Sequence, residues 1–387
     1  MRLLPAAVLL SAAATVANAF PHLAEGWEHR SLAGLSADTL EYIAARQAIV
    51  GAQPAPAPQT NTASKLVNDA SHPYKAPGTN DVRGPCPGLN TLANHGYLNR
   101  SGIVTPQDIV KAVQAGYNMG QSLAVFLAWG AHLVDGNQLT NLLSIGRKST
   151  ATGTDPPAPA TVGGLNTHGL FEGDASTTRG DAYFGDNFNF NETLFQVLVS
   201  KSKQYGGGKY NLSAAAEVRW ARIQDSIARN PTFDFTTPRF FTAYGESAFP
   251  IRFFVDGRDT SAALDMTTAR LFFQNNTFPT DFYRRSGEIS TNQLASDILK
   301  IAQPHYIQPG YNQGAGNYVV KQDDPGFSGG TCGIYKKHVT VTVPSQYPVG
   351  QTSGALLTAL KANLRTFYQG ATGGGSSSCP ELFPYGQ

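Results

Sequence analysis

A single cysteine held between two prolines constrains this chain more than any other feature. It lies in Arg83-Gly84-Pro85-Cys86-Pro87-Gly88-Leu89-Asn90-Thr91, which continues Leu92-Ala93-Asn94-His95-Gly96-Tyr97. A proline on either side fixes φ and removes a backbone N–H at each position, so the thiol is presented from a stiff loop. Gly88 then lets the backbone run close to a flat group. Cys86 is far in sequence from the only other cysteines, Cys332 and Cys379. Thiols pair in an oxidising compartment, so one that stays single needs a reason. Ligation of a metal through the thiolate is one such reason. An inert buried thiol is the plain alternative.

The N-terminus supplies the compartment. Arg2, the apolar run from Leu3 to Val16 and the small residues Ala17-Asn18-Ala19 make the three parts of a signal peptide. Residues 1–19 are therefore expected to be removed and the protein to be secreted into the extracellular space. The run is too short to anchor, and no second apolar stretch approaches about 18 residues, so no membrane association is expected afterwards. Sequons at Asn99, Asn191, Asn211 and Asn275 fit a glycoprotein. Three cysteines allow one pair and one spare. Cys332–Cys379 is the expected disulfide, because the Gly/Ser run beside Cys379 suits a peripheral clip. Pairing of Cys86 with either remains the alternative.

Residues 20–52 read as a propeptide or an ordered N-terminal arm. Gln53-Pro54-Ala55-Pro56-Ala57-Pro58 reads as a stiff extended linker. Residues 53–387 show no repeat and no second linker, which gives one domain. The chain is 14% charged and holds 40 Gly and 24 Pro among 387 residues. Charge is well under the roughly 25% of ordinary globular proteins, and the Gly and Pro content predicts long loops. A net charge of +2 says nothing about nucleic acid, no basic stripe is seen, and no nucleic-acid partner is expected.

The periodicity is helical. Thr105-Pro106, followed by Ile109, Val110 and Val113, reads as an N-cap with proline at the first helical position. Leu123 to Val134 is apolar nearly all round, as in a buried helix. Leu294, Ile298 and Ile301 form one stripe, and Leu356, Leu360, Leu364 and Phe367 form another. Val339, Val341 and Val343 alternate with Thr340 and Thr342, which predicts a strand. The expected class is mainly α, with a small β element and long Gly/Pro-rich loops.

Two further strings carry chemical potential. Phe171-Glu172-Gly173-Asp174-Ala175-Ser176 gathers oxygen donors in one short string; read alone, it is a solvated acidic loop or a helix cap using Asp174 or Ser176. In Thr237-Pro238-Arg239-Phe240-Phe241-Thr242-Ala243-Tyr244-Gly245-Glu246, Arg239 and Glu246 are seven apart. That is about two helical turns, so both face one way. A surface ion pair is the alternative. His95 reads as a structural hydrogen-bonding residue, and no His-x-x-x-His pair is present.

These three strings, in this order, resemble the fungal haem-thiolate peroxidases, the group containing chloroperoxidase and the unspecific peroxygenases. The length and the C-terminal cysteine pair are similar to the long branch of the peroxygenases. The resemblance implies haem b bound through Cys86 and Mg²⁺ held by Glu172, Gly173 and Ser176. It implies hydrogen peroxide as oxidant, with small apolar or aromatic molecules as substrates for hydroxylation and epoxidation, and one-electron oxidation as a side activity. Glu246 is then the general base and acid. Arg239 supports the developing charge and keeps Glu246 ionised. Phe171, Phe241 and Phe249, with Phe126 added, are the implied pocket walls. A monomer is expected. Chloroperoxidase carries a histidine where this chain has Gly173, so the acid–base group must come from elsewhere. Two rivals stand beside this reading: a halide-oxidising chloroperoxidase and a secreted haem-binding protein without turnover.

Overall fold

The computed structural model describes residues 51–373 and 378–387. The expected signal peptide, and all but the last two residues of the expected arm, lie outside the described residues. The Gln53–Pro58 linker is extended as expected, but it is no free spacer. Gln107 donates to the Gln53 carbonyl at 2.6 Å and Gln121 to the Pro56 carbonyl at 2.7 Å.

Nine helices carry the argument: α1 (Pro87–Asn94), α2 (Pro106–Tyr117), α3 (Gln121–Asp135), α4 (Glu192–Tyr205), α5 (Leu212–Arg229), α6 (Arg239–Phe253), α7 (Thr291–Ala302), α8 (Gly330–Lys337) and α9 (Gly354–Thr372). Strands are two or three residues long and pair antiparallel, as in 65–66 with 283–284, or 310–312 lying between 234–235 and 318–320. The mainly helical class with small β elements is what the sequence predicts.

Local chemistry explains the helix starts. Thr105 and Asp108 form a reciprocal capping box at α2, with Pro106 in the first turn. Asn191 and Asn211 cap α4 and α5 through their side-chain oxygens. Both belong to sequons, and the cap leaves each amide nitrogen available.

Helix α3 is the central element and is buried on almost every side. Helix α9 lies along it, with Phe126 stacked on Phe367 at 5.0 Å and Trp129 donating to Asn363 at 3.0 Å. Gly370 permits the close approach, since a Cβ there would come within 2.6 Å of the Phe126 nitrogen. The predicted stripes on α7 and α9 face this core; Leu360 and Ile298 are almost fully buried, whereas Leu356 is only partly so.

The predicted strand at 339–343 is helical instead. Helix α8 continues as a π-turn over His338–Thr342 and a further turn over Val343–Gln346. Val339 and Val343 are four apart and both 0% exposed, while Val341 is 54% exposed. Alternation and helical spacing share those two positions, and packing on α3 and α9 overrides the β-branched preference.

Candidate active site

The thiol side is a frame built almost wholly from its own string. Cys86 is the N-cap of α1, with Pro87 in the first turn. Asn90 accepts from the Gly84 N–H at 3.0 Å and donates back to the Gly84 carbonyl at 2.9 Å. Arg83 donates to Asn94 at 2.8 Å and to the carbonyls of Val82 and Arg100. Gly84 is obligatory, as a Cβ would lie 2.0 Å from the Ile145 carbonyl. The expected close approach at Gly88 is not enforced by the protein itself; a Cβ there would meet Phe254 and Tyr117 at an ordinary 3.6 Å. His95 is structural, as expected. Its Nδ1 bonds the His72 carbonyl at 2.8 Å while its Nε2 accepts from the Phe278 N–H at 3.2 Å.

Cys86 is free and Cys332 is bonded to Cys379. Burial pushes the Cys86 thiol up to about 11, against the backbone N–H groups of Leu89 and Gly88 and the charge of Arg179. A sulfur at a helix N-terminus facing backbone donors is poised to become a thiolate once a cation takes it.

That sulfur opens into a cavity of about 220 Å³, roughly fifteen times what one water needs. Cys86, Glu172, Gly173, Ser176, Phe126, Phe171, Phe241, Glu246 and Phe249 all line it. The remaining lining is mostly aliphatic and aromatic. Two acids separated by 74 residues in sequence, 172 and 246, thus share one apolar chamber with the thiol.

The acid side depends on buried charge drawn from distant elements. Asp174 turns away from the cavity and holds the loop, accepting from the Ala182 N–H and from Asn230, both at 2.9 Å, with His168 at 3.0 Å. This leaves Glu172 and Ser176 facing inward. Arg222 donates to the Ser176 carbonyl at 2.8 Å and pairs with buried Asp181 at 3.1 Å. Burial holds Glu172 well above the usual carboxylate range, the charges of Glu246 and Asp135 add to this, and Arg179 opposes it. Burial pushes Glu246 up to about 7, opposed by Arg219.

The Arg239 guanidinium finds its partners away from Glu246 in this structure. It donates to the Gly169 carbonyl at 2.6 Å and pairs with Asp234 at 2.7 Å. The charge that reaches Glu246 is Arg219, which donates through Nε to Ser247 at 2.9 Å and through Nη1 to the Ala175 carbonyl. The reason is the helix start: Arg239 is the first residue of α6, and its side chain runs back over Gly173. A Cβ on Gly173 would come within 2.9–3.3 Å of the Arg239 methylenes. Gly173 and Arg239 are therefore a matched pair, and a histidine at 173 would displace the arginine.

Sequence reading missed Arg219 and Arg179. Arg219 sits on α5 among Ala215, Val218 and Ile223, so an arginine on an apolar face was the available signal. Arg179 lies three residues beyond Ser176, lines the cavity and keeps a buried Nε without a partner.

A sequence profile described as peroxidase, family 2, matches residues 72–287. The chain belongs to that family. An aromatic peroxygenase of Cyclocybe aegerita is 51% identical over 362 residues, covering 93% of this chain and 94% of the relative. One of Coprinellus radians is 56% identical over 229 residues, covering 58% of this chain and 88% of the relative. The chloroperoxidase of Leptoxyphium fumago matches over only 30 residues, at 63% identity and 8% of each chain. In this family 2 peroxidase the residues fit a haem. A buried thiol, a buried guanidinium with an unpartnered Nε and apolar walls suit a flat group with iron and negative substituents.

Proposed function

We propose that the chain is a secreted haem-thiolate peroxygenase. It transfers oxygen from hydrogen peroxide to aromatic and aliphatic molecules by hydroxylation and epoxidation, and it oxidises phenols by one electron as a side activity. The observation that carries this is a single apolar cavity holding the Cys86 sulfur together with the acids Glu246 and Glu172. The relatives named aromatic peroxygenase, matched over most of the chain, support it.

Cys86 would hold the iron of haem b, and a thiolate-bound haem supplies oxidising chemistry because sulfur donation favours O–O cleavage. Glu172, Ser176 and the Gly173 carbonyl would hold Mg²⁺, a choice supported by hard oxygen donors and by a buried carboxylate in need of a counter-charge. The unpaired Nε of Arg179 is available to an anionic substituent. Glu246 takes a proton from peroxide at its carboxylate and returns it to the departing oxygen. Arg219 keeps that carboxylate within reach of both protonation states near neutral pH. Arg239, pinned over Gly173, lends positive charge at the chamber's edge. Phe171, Phe241, Phe249 and Phe126 exclude water and present the substrate's flat face.

Secretion is supported by the N-terminal pattern and by a disulfide suited to an oxidising compartment. The sequons fit glycosylation, with Asn191 and Asn275 exposed. The protein is taken to act as a monomer. The test is to purify the secreted protein, record the ferrous–carbon monoxide spectrum and supply ¹⁸O-labelled peroxide with naphthalene. A red-shifted thiolate band and label in the naphthol are expected. Peroxide consumption without label in any product would overturn the reading.

A further inference from the structure

One wall of the cavity comes from a segment outside residues 72–287, the part that matches the family profile. Helix α8 places Thr331 and Ile334 in the lining, on either side of the disulfide residue Cys332. The segment leading into α8 runs along the acid side. Phe327 packs on Phe240 at 4.7 Å, on Tyr244 at 5.3 Å and on Phe241 at 6.0 Å, all residues of α6. Thr331 and Ile334 thus line the chamber just beyond a segment packed on α6, the helix that carries Phe241 and Glu246.

Three kinds of tie hold this wall in place. The buried carboxylate of Asp324 accepts the Thr237 N–H at 3.0 Å and its hydroxyl at 2.6 Å, two residues before α6 begins. Thr331 donates its hydroxyl to the Ala371 carbonyl at 3.0 Å, in the last turn of α9. Cys332 is bonded to Cys379, and the Tyr335 hydroxyl accepts the Leu382 N–H at 2.9 Å. The C-terminal tail thus bears on the cavity through a covalent link placed between two lining residues.

We propose that Thr331 and Ile334 are specificity-determining residues that limit substrate width, and that the Cys332–Cys379 bond is the positioning clamp that keeps them against α6. The proposal rests on the peroxygenase reading for its substrate class: slender two-ring or acyclic molecules pass, and wider fused-ring aromatics are resisted. Ile334 is the main stop because its branched side chain projects into the chamber with no polar tie of its own. One methylene group in an apolar pocket shifts discrimination by about tenfold or more, so changes at Ile334 are large enough to read.

The experiment compares naphthalene with phenanthrene on the holoenzyme, by equilibrium dialysis and by kcat/KM. Ile334→Ala is expected to raise the phenanthrene-to-naphthalene ratio about tenfold in both measurements. Ile334→Phe should lower it by about tenfold. The paired variant Cys332→Ala/Cys379→Ala should raise the ratio about threefold through KM, leaving kcat for naphthalene and the carbon monoxide band in place. Ratios within twofold of the native protein for both Ile334 variants would overturn the proposal. Should the native protein bind both probes without oxygenating either, the peroxygenase reading falls, and the binding ratios alone still decide the wall.

Discussion

The two sides of the cavity reach the same centre by opposite means. The thiol side is local: Arg83, Gly84, Asn90 and Asn94 are hydrogen-bonded to one another within twelve residues of chain. The acid side is assembled from residues 169, 173, 219, 234, 239 and 246, which meet only in the folded protein. A local frame can be specified by one short string and resists change elsewhere. A distributed one depends on buried charges balancing, since a buried carboxylate without a counter-charge is strongly disfavoured. On the proposed reading, the iron-binding sulfur would sit on the local frame and the proton-moving carboxylate on the distributed one.

The largest effect should come from the local side. Cys86→Ala removes the sulfur and leaves the loop's hydrogen bonds untouched. The purified variant should carry no haem with a thiolate carbon monoxide band, a complete loss. Retention of that band would move the iron to another residue and break the contrast at its root.

Glu246→Gln comes next. The amide keeps the volume and loses the proton-transfer role, so haem and its thiolate band should remain. Peroxide-driven oxygenation should fall by about 10²–10⁴-fold, the usual share of a positioned acid–base group. An unchanged rate of naphthalene hydroxylation would take Glu246 out of the mechanism and leave the acid side without its purpose.

How much of this could be read in advance follows the same division. The Cys86 loop, the Thr105 capping box, the buried α3 and the stripes on α7 and α9 were legible because local sequence dictates them. The Arg239–Glu246 spacing placed both on α6 correctly, but it carries no sign of Arg219 on α5. The charge of Arg219 bears on Glu246 from a neighbouring helix, and no spacing rule within α6 contains that relation. The false strand at Val339–Val343 has a similar origin. Its alternation is real, but the burial of positions four apart is decided by α3 and α9, which lie far away in sequence.

Asn90→Ala sharpens the comparison on the stability axis. It strips the Gly84 N–H and carbonyl of their buried partners, so about 2–3 kcal/mol should be lost. Chemical denaturation would show this as a lower midpoint with an unchanged slope. A loss under about 0.5 kcal/mol would mean that the loop is held by its prolines alone, and the frame described above would be superfluous.

The smallest effect separates the two sides by pH. His338 donates through Nε2 to the Gly130 carbonyl at 3.0 Å, and Gly130 lies against Phe171 and Phe367 behind the acid side. Burial pulls His338 down to about 4, only partly opposed by that carbonyl, and pulls His132 on α3 down to about 3. An unfolded histidine titrates near 6.5. Between about pH 6.5 and 4 the unfolded chain therefore binds a proton at His338 that the native protein refuses. Stability contributed in this way is present above pH 6.5 and is lost as pH falls through that window, by at most about 1.4 kcal/mol per unit for one group. His338→Gln keeps an N–H donor for Gly130 and removes the titration. Its unfolding free energy, measured between pH 7 and 4.5, should fall less steeply than that of the native protein. Parallel slopes would show that the scaffold behind Phe171 is not the acid-sensitive part, and that the two sides of the cavity differ in construction but not in their response to protons.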